Sequence, residues 1–329
     1  MSAVHPIQPV SSGQAEERQK ITDPGPGGLV HWNQFLIFAV LLCLLYAVPL
    51  WRWFLHGWED EIQSYILLVP FISGYLMFTD RHQWILLGRT RPRLAIVPAL
   101  LGIVVAGGLG LAQSRGLSGG ANASLSIMIF SFLCLLAAGG FWFLGVLVMR
   151  RLAFPVGFLV FMIPIPPAAM EGINGFLQHA SAEAANLMLK VGGPPFVREG
   201  LLFQLPGITL FVAEECSGVR STLVLFITSV LASHLFLRTS WRRTLLVAVV
   251  MPIAILRNGF RIYVIAMLCV HIDPSMIHSV IHHRGGPIFF ALSLIPLFAL
   301  LVWLRKKEQV VPPQNPQLGP VLDDKEAVK

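Results

Sequence analysis

The chain has 329 residues, of which 55% are hydrophobic and only 12% are charged. A soluble domain typically carries about 25% charged residues, so this composition excludes an ordinary soluble protein and indicates a membrane protein with several spans. The formal net charge of +7 is less informative than the positions of the charges along the chain.

Residues 1–33 contain Ser, Gly, Pro, Gln and mixed charges, and they are predicted to form a disordered tail. The first apolar segment begins near residue 34, and no small-residue cleavage site follows it, so it is interpreted as a retained span. Because a helix needs about 20 mainly apolar residues to cross a bilayer, eight spans are predicted. They are 34–55, 62–79, 94–113, 125–149, 152–170, 219–237, 244–270 and 287–304, of which the second and the proline-interrupted fifth fit least well.

The distribution of Lys and Arg among the connections predicts the orientation of the chain. The second, fourth and sixth connections and the segment after the last span are rich in basic residues. The first connection is acidic around Asp60, and the third has only Arg115. Both termini are therefore predicted to lie in the cytoplasm, with the odd-numbered connections outside.

The fifth connection, about residues 171–218, is the longest, and it is predicted to lie outside. Residues 171–190 mix large apolar residues with alanines, which predicts an interfacial helix on the outer leaflet. The segments 196–203 and 208–212, separated by Pro206-Gly207, can then form a short hairpin. The predicted fold class is all-α: a polytopic membrane helical bundle with an extracytoplasmic loop that carries this helix and hairpin.

The segment 213–221 (AEECSGVRS) is polar and lies between two apolar regions. It contains Cys216, the only one of four cysteines with acidic and polar neighbours, and no CxxC or CxxH spacing indicates a disulfide framework or a cysteine zinc site. On a helix, Cys216 and Arg220 would share a face, and a nearby cation lowers the pKa of a thiol and favours the nucleophilic thiolate. The alternative is a buried structural cysteine, with Arg220 extended to the membrane interface.

Two arginines lie inside the seventh span, in the segment 257–261 (RNGFR). An arginine within a span costs at least about 2.5–3.5 kcal/mol on insertion scales, so it is usually buried in protein and functional. Asn258 and Arg261 share a helical face, and Arg261 is predicted to lie roughly 13 Å below the outer end of the helix. The alternative is that Arg257 or Arg261 pairs with an acidic group for packing.

The seventh connection, 271–286, contains His271, His278, His282 and His283. A thiol nucleophile needs a base and a donor or cation for the developing oxyanion, and histidine and arginine supply these roles. Cys216, the outer half of span seven and a histidine before span eight therefore predict a cysteine acyl-transfer site at the outer face.

Two other classes of function compete with this interpretation. A transporter or channel would bind an anion at Arg257 and Arg261, although no internal repeat favours it. A metal or haem membrane protein would use His278, His282 and His283, since the first two are spaced to share a helical face. No HExxH motif is present, which argues against a zinc protease of that kind.

Three motifs, in order along the chain, resemble those of the exosortase/archaeosortase family of membrane transpeptidases. The segment 213–221 is similar to the cysteine motif of the family, 257–262 resembles its Asn-x-x-Arg motif, and 282–286 resembles its His-x-x-x-Gly element. Weaker similarity extends to Ser64–Leu76 and to the prolines at 164–166.

The resemblance implies Cys216 as the nucleophile, Arg261 as the stabiliser of the oxyanion and His282 as the general base. His283 is the alternative base, and Arg220 and Asn258 are supporting or alternative residues. No metal and no other cofactor is implied.

The resemblance also implies the substrate, a secreted protein with a C-terminal sorting tail made of a short motif (often Pro-Glu-Pro), an apolar helix and a basic end. The enzyme would hold a thioacyl intermediate on Cys216 and pass it to an acceptor, with a lipid or polysaccharide as candidates and no nucleic-acid partner. Residues 1–33 and 305–329 are expected to be cytoplasmic tails around an exosortase-like membrane domain, 34–304. The expected location is the inner (cytoplasmic) membrane, with the active site on its outer side.

Overall fold

The computed structural model describes residues 31–79, 92–116, 120–213, 218–273 and 286–309. These residues are mostly helical, which confirms the predicted all-α class. The chain divides into two compact units, Met1–Pro167 and Ala168–Lys329.

Several helices of the first unit are short or interrupted. A 3-10 turn precedes α3 and another precedes α4, a π-helical turn (Gly140–Leu144) joins α5 to α6, and α7 ends in a 3-10 turn. The helices are α1 (Trp32–Leu45), α2 (Ala47–Glu59), α3 (Val69–Thr79), α4 (Ile96–Ser114), α5 (Ala121–Gly139), α6 (Gly145–Arg151) and α7 (Ala153–Phe158).

The single span predicted at 34–55 is instead the two helices α1 and α2, bent by 74°. Pro49 explains the break, because it has no N–H to donate and its ring clashes with the carbonyl four residues earlier, that of Leu45. Leu45 is the last residue of α1. The bent pair has enough apolar length to cross a membrane only when both helices are counted together.

The number of described helices that could span a membrane is lower than the eight predicted. Five are long and apolar enough, and counting each of two bent pairs as one span gives seven. Within the described residues, the second predicted span provides only the 11-residue helix α3 after its 3-10 turn. Eleven residues extend about 16 Å, roughly half of a bilayer core. The five are Arg93–Ser114, Ala121–Arg151, Val219–Phe236, Ser240–His271 and Ile288–Glu308.

The prolines at 164–166 interrupt the predicted fifth span, as their sequence suggested, and polar side chains of the first unit hold this non-helical stretch. Ser126 Oγ donates to the carbonyl of Pro164 at 2.7 Å, and Gln63 Oε1 accepts from the N–H of Ile165 at 2.6 Å. Gln63 is itself buried and donates to Asp60 at 3.2 Å. These bonds satisfy backbone groups that leave the helical pattern.

In the part that the structure describes, the second unit contains a long helix, a small sheet and four further helices. The predicted hairpin is present and is extended by a third strand, because Gly200 and Gly207 both take positive φ angles, 63° and 82°, at two tight turns. The elements are α8 (Pro167–Gly192), β1 (Val197–Glu199), β2 (Leu202–Leu205), β3 (Ile208–Phe211), α9 (Val219–Phe236), α10 (Ser240–Ala248), α11 (Val250–His271) and α12 (Gly286–Gln309).

The antiparallel sheet has the strand order β1-β2-β3, and one of its faces packs against α8 and α11. Alternate residues of β2 and β3 point into this core, while their neighbours are exposed. Burial of this face fixes the register of the strands, since a one-residue slip would expose the core side chains. The buried cluster contains Ala182, Ala185, Leu189, Phe203, Leu205, Leu210, Val212, Ile262, Ile265, Ala266 and Cys269.

Helices α8 and α11 approach closely at Gly259. A Cβ added there would lie 2.5 Å from the Cβ of Ala184 and 3.0 Å from the backbone nitrogen of Ala185. A larger residue at position 259 would therefore push the two helices apart. The glycine lets the arginine-bearing part of α11 lie directly against α8.

The carboxylate of Glu308, near the end of α12, connects α12 to the start of α10 in the second unit. It accepts hydrogen bonds from the backbone N–H groups of Arg238 (2.9 Å) and Thr239 (2.8 Å) and lies 3.8 Å from Arg242. Thr239 is the N-cap residue of α10, so this carboxylate connects the start of α10 to the last turn of α12. A hydrophobic cluster from α9, α10 and α12 lies beside it.

Candidate active site

Cys216 lies outside the described residues, which stop at Ala213 and resume at Gly218. The backbone just before this gap is held by the second unit. The N–H of Val212 donates to the carbonyl of Leu201 at 3.0 Å, and the carbonyl of Val212 accepts from Gln178 Nε2 of α8 at 2.5 Å. Gln178 and Val212 are both buried, so the chain is fixed in position where it enters the segment 213–221, which we call the cysteine segment.

The backbone just after the gap is fixed by the first turn of α9. Gly218 is the N-cap residue, in the left-handed conformation with φ 67°. Its carbonyl oxygen accepts from the backbone N–H of Thr222 at 3.0 Å, from Thr222 Oγ1 at 2.9 Å and from Ser221 Oγ at 2.9 Å. Only glycine takes this conformation without steric cost.

The start of α9 changes the expectation for Arg220. The helix begins at Val219, because the left-handed Gly218 cannot be part of a right-handed helix. The i, i+4 spacing that was expected to place Cys216 beside Arg220 on one helical face therefore does not apply to this pair. Arg220 lies on the exposed side of the first turn of α9.

Arg257 of α11 contacts the carbonyl of Gly218, the N-cap residue of α9. Its side chain is only 6% exposed, and its Nη2 donates to Asn258 Oδ1 at 2.8 Å, to Thr222 Oγ1 at 3.3 Å and to the carbonyl of Gly218 at 3.4 Å. Its Nε also donates to Asn258 Oδ1, at 3.1 Å. Asn258 Oδ1 therefore accepts hydrogen bonds from Nε and Nη2 of the guanidinium, and Nη2 also donates to the first turn of α9.

The packing alternative for Arg257 was an ion pair with an acidic residue. Within the described ranges its partners are instead neutral oxygens of a carbonyl, a hydroxyl and an amide, and its Nη1 has no hydrogen-bond partner there. A buried cation that keeps its charge beside a helix N-terminus creates a strongly positive potential.

Arg261 follows one helical turn after Arg257 on α11 and is half-buried. Residues four apart share a helical face, so the two guanidinium groups lie on the same side of α11. We call the Gly218 carbonyl, Arg257, Asn258 and Arg261 the arginine centre. It combines two predicted site residues, Arg261 and Asn258, with Arg257, for which the sequence suggested only a packing role or the anion site of a transporter.

The sequence contained a signal for Arg257, because it is an arginine inside a span and directly precedes the asparagine of the second motif. The contacts of Arg257 with Gly218 and Thr222 could not be predicted from the sequence, because they depend on how α9 packs against α11. Gln178 had no comparable signal, because a glutamine in an interfacial helix is ordinary.

The histidines of the seventh connection fall mostly outside the structure that is described. This applies to His278, His282 and His283, the two predicted bases among them. His271 is the last residue of α11, is exposed, and has its Nδ1 3.1 Å from the carbonyl oxygen of Met267. Among the described residues no group of three or more His, Cys, Asp or Glu side chains is arranged to hold a metal ion.

Fold and site together define a multi-pass membrane protein with a buried cationic centre next to a cysteine-containing segment. The family model described as transmembrane exosortase matches residues 57–299, from the end of α2 into α12. The chain therefore belongs to the transmembrane exosortase family, as the sequence motifs indicated. No curated protein and no solved structure matches it.

Proposed function

We propose that this exosortase is a cysteine peptidase and transpeptidase that cleaves the C-terminal sorting tail of secreted proteins at the outer face of the membrane. Membership of a family that processes sorting signals supports the class of reaction. The observation that carries the residue assignment is the contact of Arg257 Nη2 with the carbonyl oxygen of Gly218, at 3.4 Å. Gly218 follows Cys216 by two residues.

Covalent geometry limits how far the thiol can be from this contact. Two residues of extended chain span at most about 7 Å, so the Cα of Cys216 is within that distance of the Cα of Gly218. The N-terminus of α9 carries about half a positive elementary charge, and Arg257 and Arg261 add two full charges on α11. These charges favour a thiolate on Cys216 and an oxyanion formed beside it.

In the proposed reaction, the Cys216 thiolate attacks the carbonyl carbon of the scissile peptide bond. The tetrahedral oxyanion is stabilised by Arg261, and Arg257 and Asn258 keep the turn at Gly218 in place. His282, or its neighbour His283, gives a proton to the departing amine as the C–N bond breaks. A thioester then remains on Cys216, and the released product is the sorting tail.

The second half of the reaction returns the enzyme to its starting state. The same histidine takes a proton from the acceptor nucleophile, which attacks the thioester carbonyl and displaces the Cys216 thiolate. A lipid or polysaccharide group at the outer leaflet is the proposed acceptor. Arg220, exposed at the first turn of α9, contributes further positive charge on the solvent side.

We propose that both ends of the chain lie on the cytoplasmic side of the membrane. Residues 1–33 and 305–329 are proposed to be cytoplasmic tails, and 34–304 to be the membrane domain in the inner membrane. The basic residues of the second, fourth and sixth connections support this orientation.

Processing in cells tests the proposed function. Wild type, Cys216→Ala and Cys216→Ser would each be expressed with a secreted protein of the same genome that carries a C-terminal sorting tail. We expect wild type to shorten this protein and both variants to leave it at full length, because neither alanine nor an unactivated serine replaces a thiolate. The amount of each variant in the membrane fraction is the control. Equal processing by the variants would contradict the assignment of Cys216.

A further inference from the structure

Strand β3 has a free edge with backbone groups that point away from the sheet. It pairs only with β2 within the described sheet. Because the Pro206-Gly207 turn has two residues, Leu205 and Ile208 on either side of it form a hydrogen-bonded pair. Hydrogen-bonded and non-hydrogen-bonded pairs then alternate along the two strands, and the bond from the N–H of Val212 to the carbonyl of Leu201 agrees with this alternation.

This alternation determines which backbone N–H and carbonyl groups of β3 form no hydrogen bond with β2. Ile208, Leu210 and Val212 bond to β2, so the N–H groups of Thr209 and Phe211 point outward. The carbonyl of Thr209 points the same way, whereas that of Phe211 accepts from the N–H of Ala213 at 3.0 Å. Both side chains are exposed, with Phe211 at 59%. The edge therefore offers two donors and one acceptor to an incoming chain.

The two edges of the sheet differ in how they are protected. Edge strands usually carry charges, prolines or bulges that prevent another chain from pairing. β1 has Arg198 and Glu199, and Arg198 forms an ion pair with Glu183 of α8 at 2.8 Å and lies over the Phe203 ring. β3, with the sequence ITLF, has no charge and no proline. The unprotected edge belongs to the strand that leads directly into the cysteine segment.

The sheet is also held next to the arginine centre. Its buried face packs against Ile262, Ile265 and Ala266 of α11, which follow Arg261 by one to five residues. Phe211, the last residue of β3, precedes Cys216 by five residues. A chain that pairs with β3 would therefore lie along the strand whose last residue precedes the proposed nucleophile by five residues.

We propose that an extended segment of the secreted substrate, next to its cleavage point, pairs with β3 as a fourth strand. This inference rests on the proposed function and adds how the substrate is held. Main-chain hydrogen bonds to Thr209 and Phe211 supply sequence-independent binding, and the exposed Phe211 ring contacts side chains at alternate substrate positions. The tail helix of the substrate is not needed for this contact, since strand pairing uses only the extended segment.

Disulfide crosslinking tests strand pairing without requiring catalysis. Thr209→Cys would be introduced into the Cys216→Ala background, with single cysteines placed one at a time around the cleavage point of the substrate that wild type shortens. Paired strands bring Cα atoms to about 5.5 Å, within the range of a disulfide. We expect crosslinks at alternate substrate positions, at least about fivefold above background. Glu199→Cys, on the charged edge, is the matched control, and its crosslinks should stay at background.

Crosslinks that are absent, that lack the two-residue alternation, or that are equally strong at Glu199→Cys would overturn strand pairing. Processing by wild type is measured in parallel. If wild type shortens the substrate while no alternating crosslinks form, strand pairing fails and the proposed function stands. If no secreted protein with a sorting tail is shortened by wild type, the proposed function fails and this inference fails with it.

Discussion

Substitution of Arg257 by glutamine should reduce substrate processing by about 100-fold, while the protein still inserts and folds. The guanidinium joins Asn258 of α11 to the carbonyl of Gly218. Loss of this link allows the turn before α9 to move, and a misplacement of about 1 Å near a reacting group can cost about 10²-fold in rate. Stability should change little, because the lost hydrogen bonds are offset by removal of a buried charge.

Two further variants separate the effect of the lost hydrogen bonds of Arg257 from the effect of its lost positive charge. Arg257→Lys keeps the positive charge but lacks the planar set of donors, so we expect it to recover only a minor part of the activity. Arg242→Gln removes an arginine at the other end of the same unit, where it donates to the carbonyl of Leu304, and its activity should remain within about twofold of wild type. Full activity of Arg257→Gln would show that this contact has no role in the reaction.

Gly218→Ala is expected to abolish most processing for a different reason. Alanine at φ 67° costs about 1–2 kcal/mol of backbone strain. Its Cβ would also lie 2.8 Å from Arg257 Nη2 and even closer to the amide group of Asn258, so the turn or the guanidinium must move. We expect at least about a tenfold loss of processing rate, because both movements disturb the arginine centre.

Gly200→Ala is the matched control for this variant. Gly200 has a similar φ of 63°, and a Cβ there would meet no atom within 4 Å. The two alanine variants therefore share the backbone strain and differ in the collision with Arg257 and Asn258. Similar losses of activity in both would attribute the effect to general strain. Thermal unfolding in detergent should show a loss of stability in both variants and a larger loss in Gly218→Ala, where the collision adds to the strain.

Much of the second unit could be predicted from local sequence. The span predicted at 219–237 is observed as Val219–Phe236, and the turn predicted at Pro206-Gly207 joins β2 to β3. Apolar length and turn residues determine these features directly. The segment predicted as one strand, 196–203, instead contains β1, a turn at Gly200 and the start of β2, so the third strand was not predicted. β1 has only three residues, two of them charged, and it is stabilised by pairing with β2.

Other features depend on contacts that no local pattern reports. The bend between α1 and α2 follows from a proline near the start of a helix, where proline is often tolerated, so apolar length alone suggested one continuous span. The role of Arg257 depends on the packing of α9 against α11. The motifs predicted Asn258 and Arg261 as site residues, and these predictions, like those for Cys216 and His282, remain to be tested by experiment.

The most direct test of the proposed mechanism is detection of the acyl group on Cys216. Purified wild-type protein would be mixed with a sorting-tail substrate in the absence of acceptor, digested, and analysed by mass spectrometry. We expect the peptide that contains Cys216 to carry the substrate fragment as a thioester, which hydroxylamine releases as a hydroxamate. Cleaved substrate with no adduct on Cys216, or with a hydroxylamine-sensitive adduct on another residue, would contradict the cysteine mechanism.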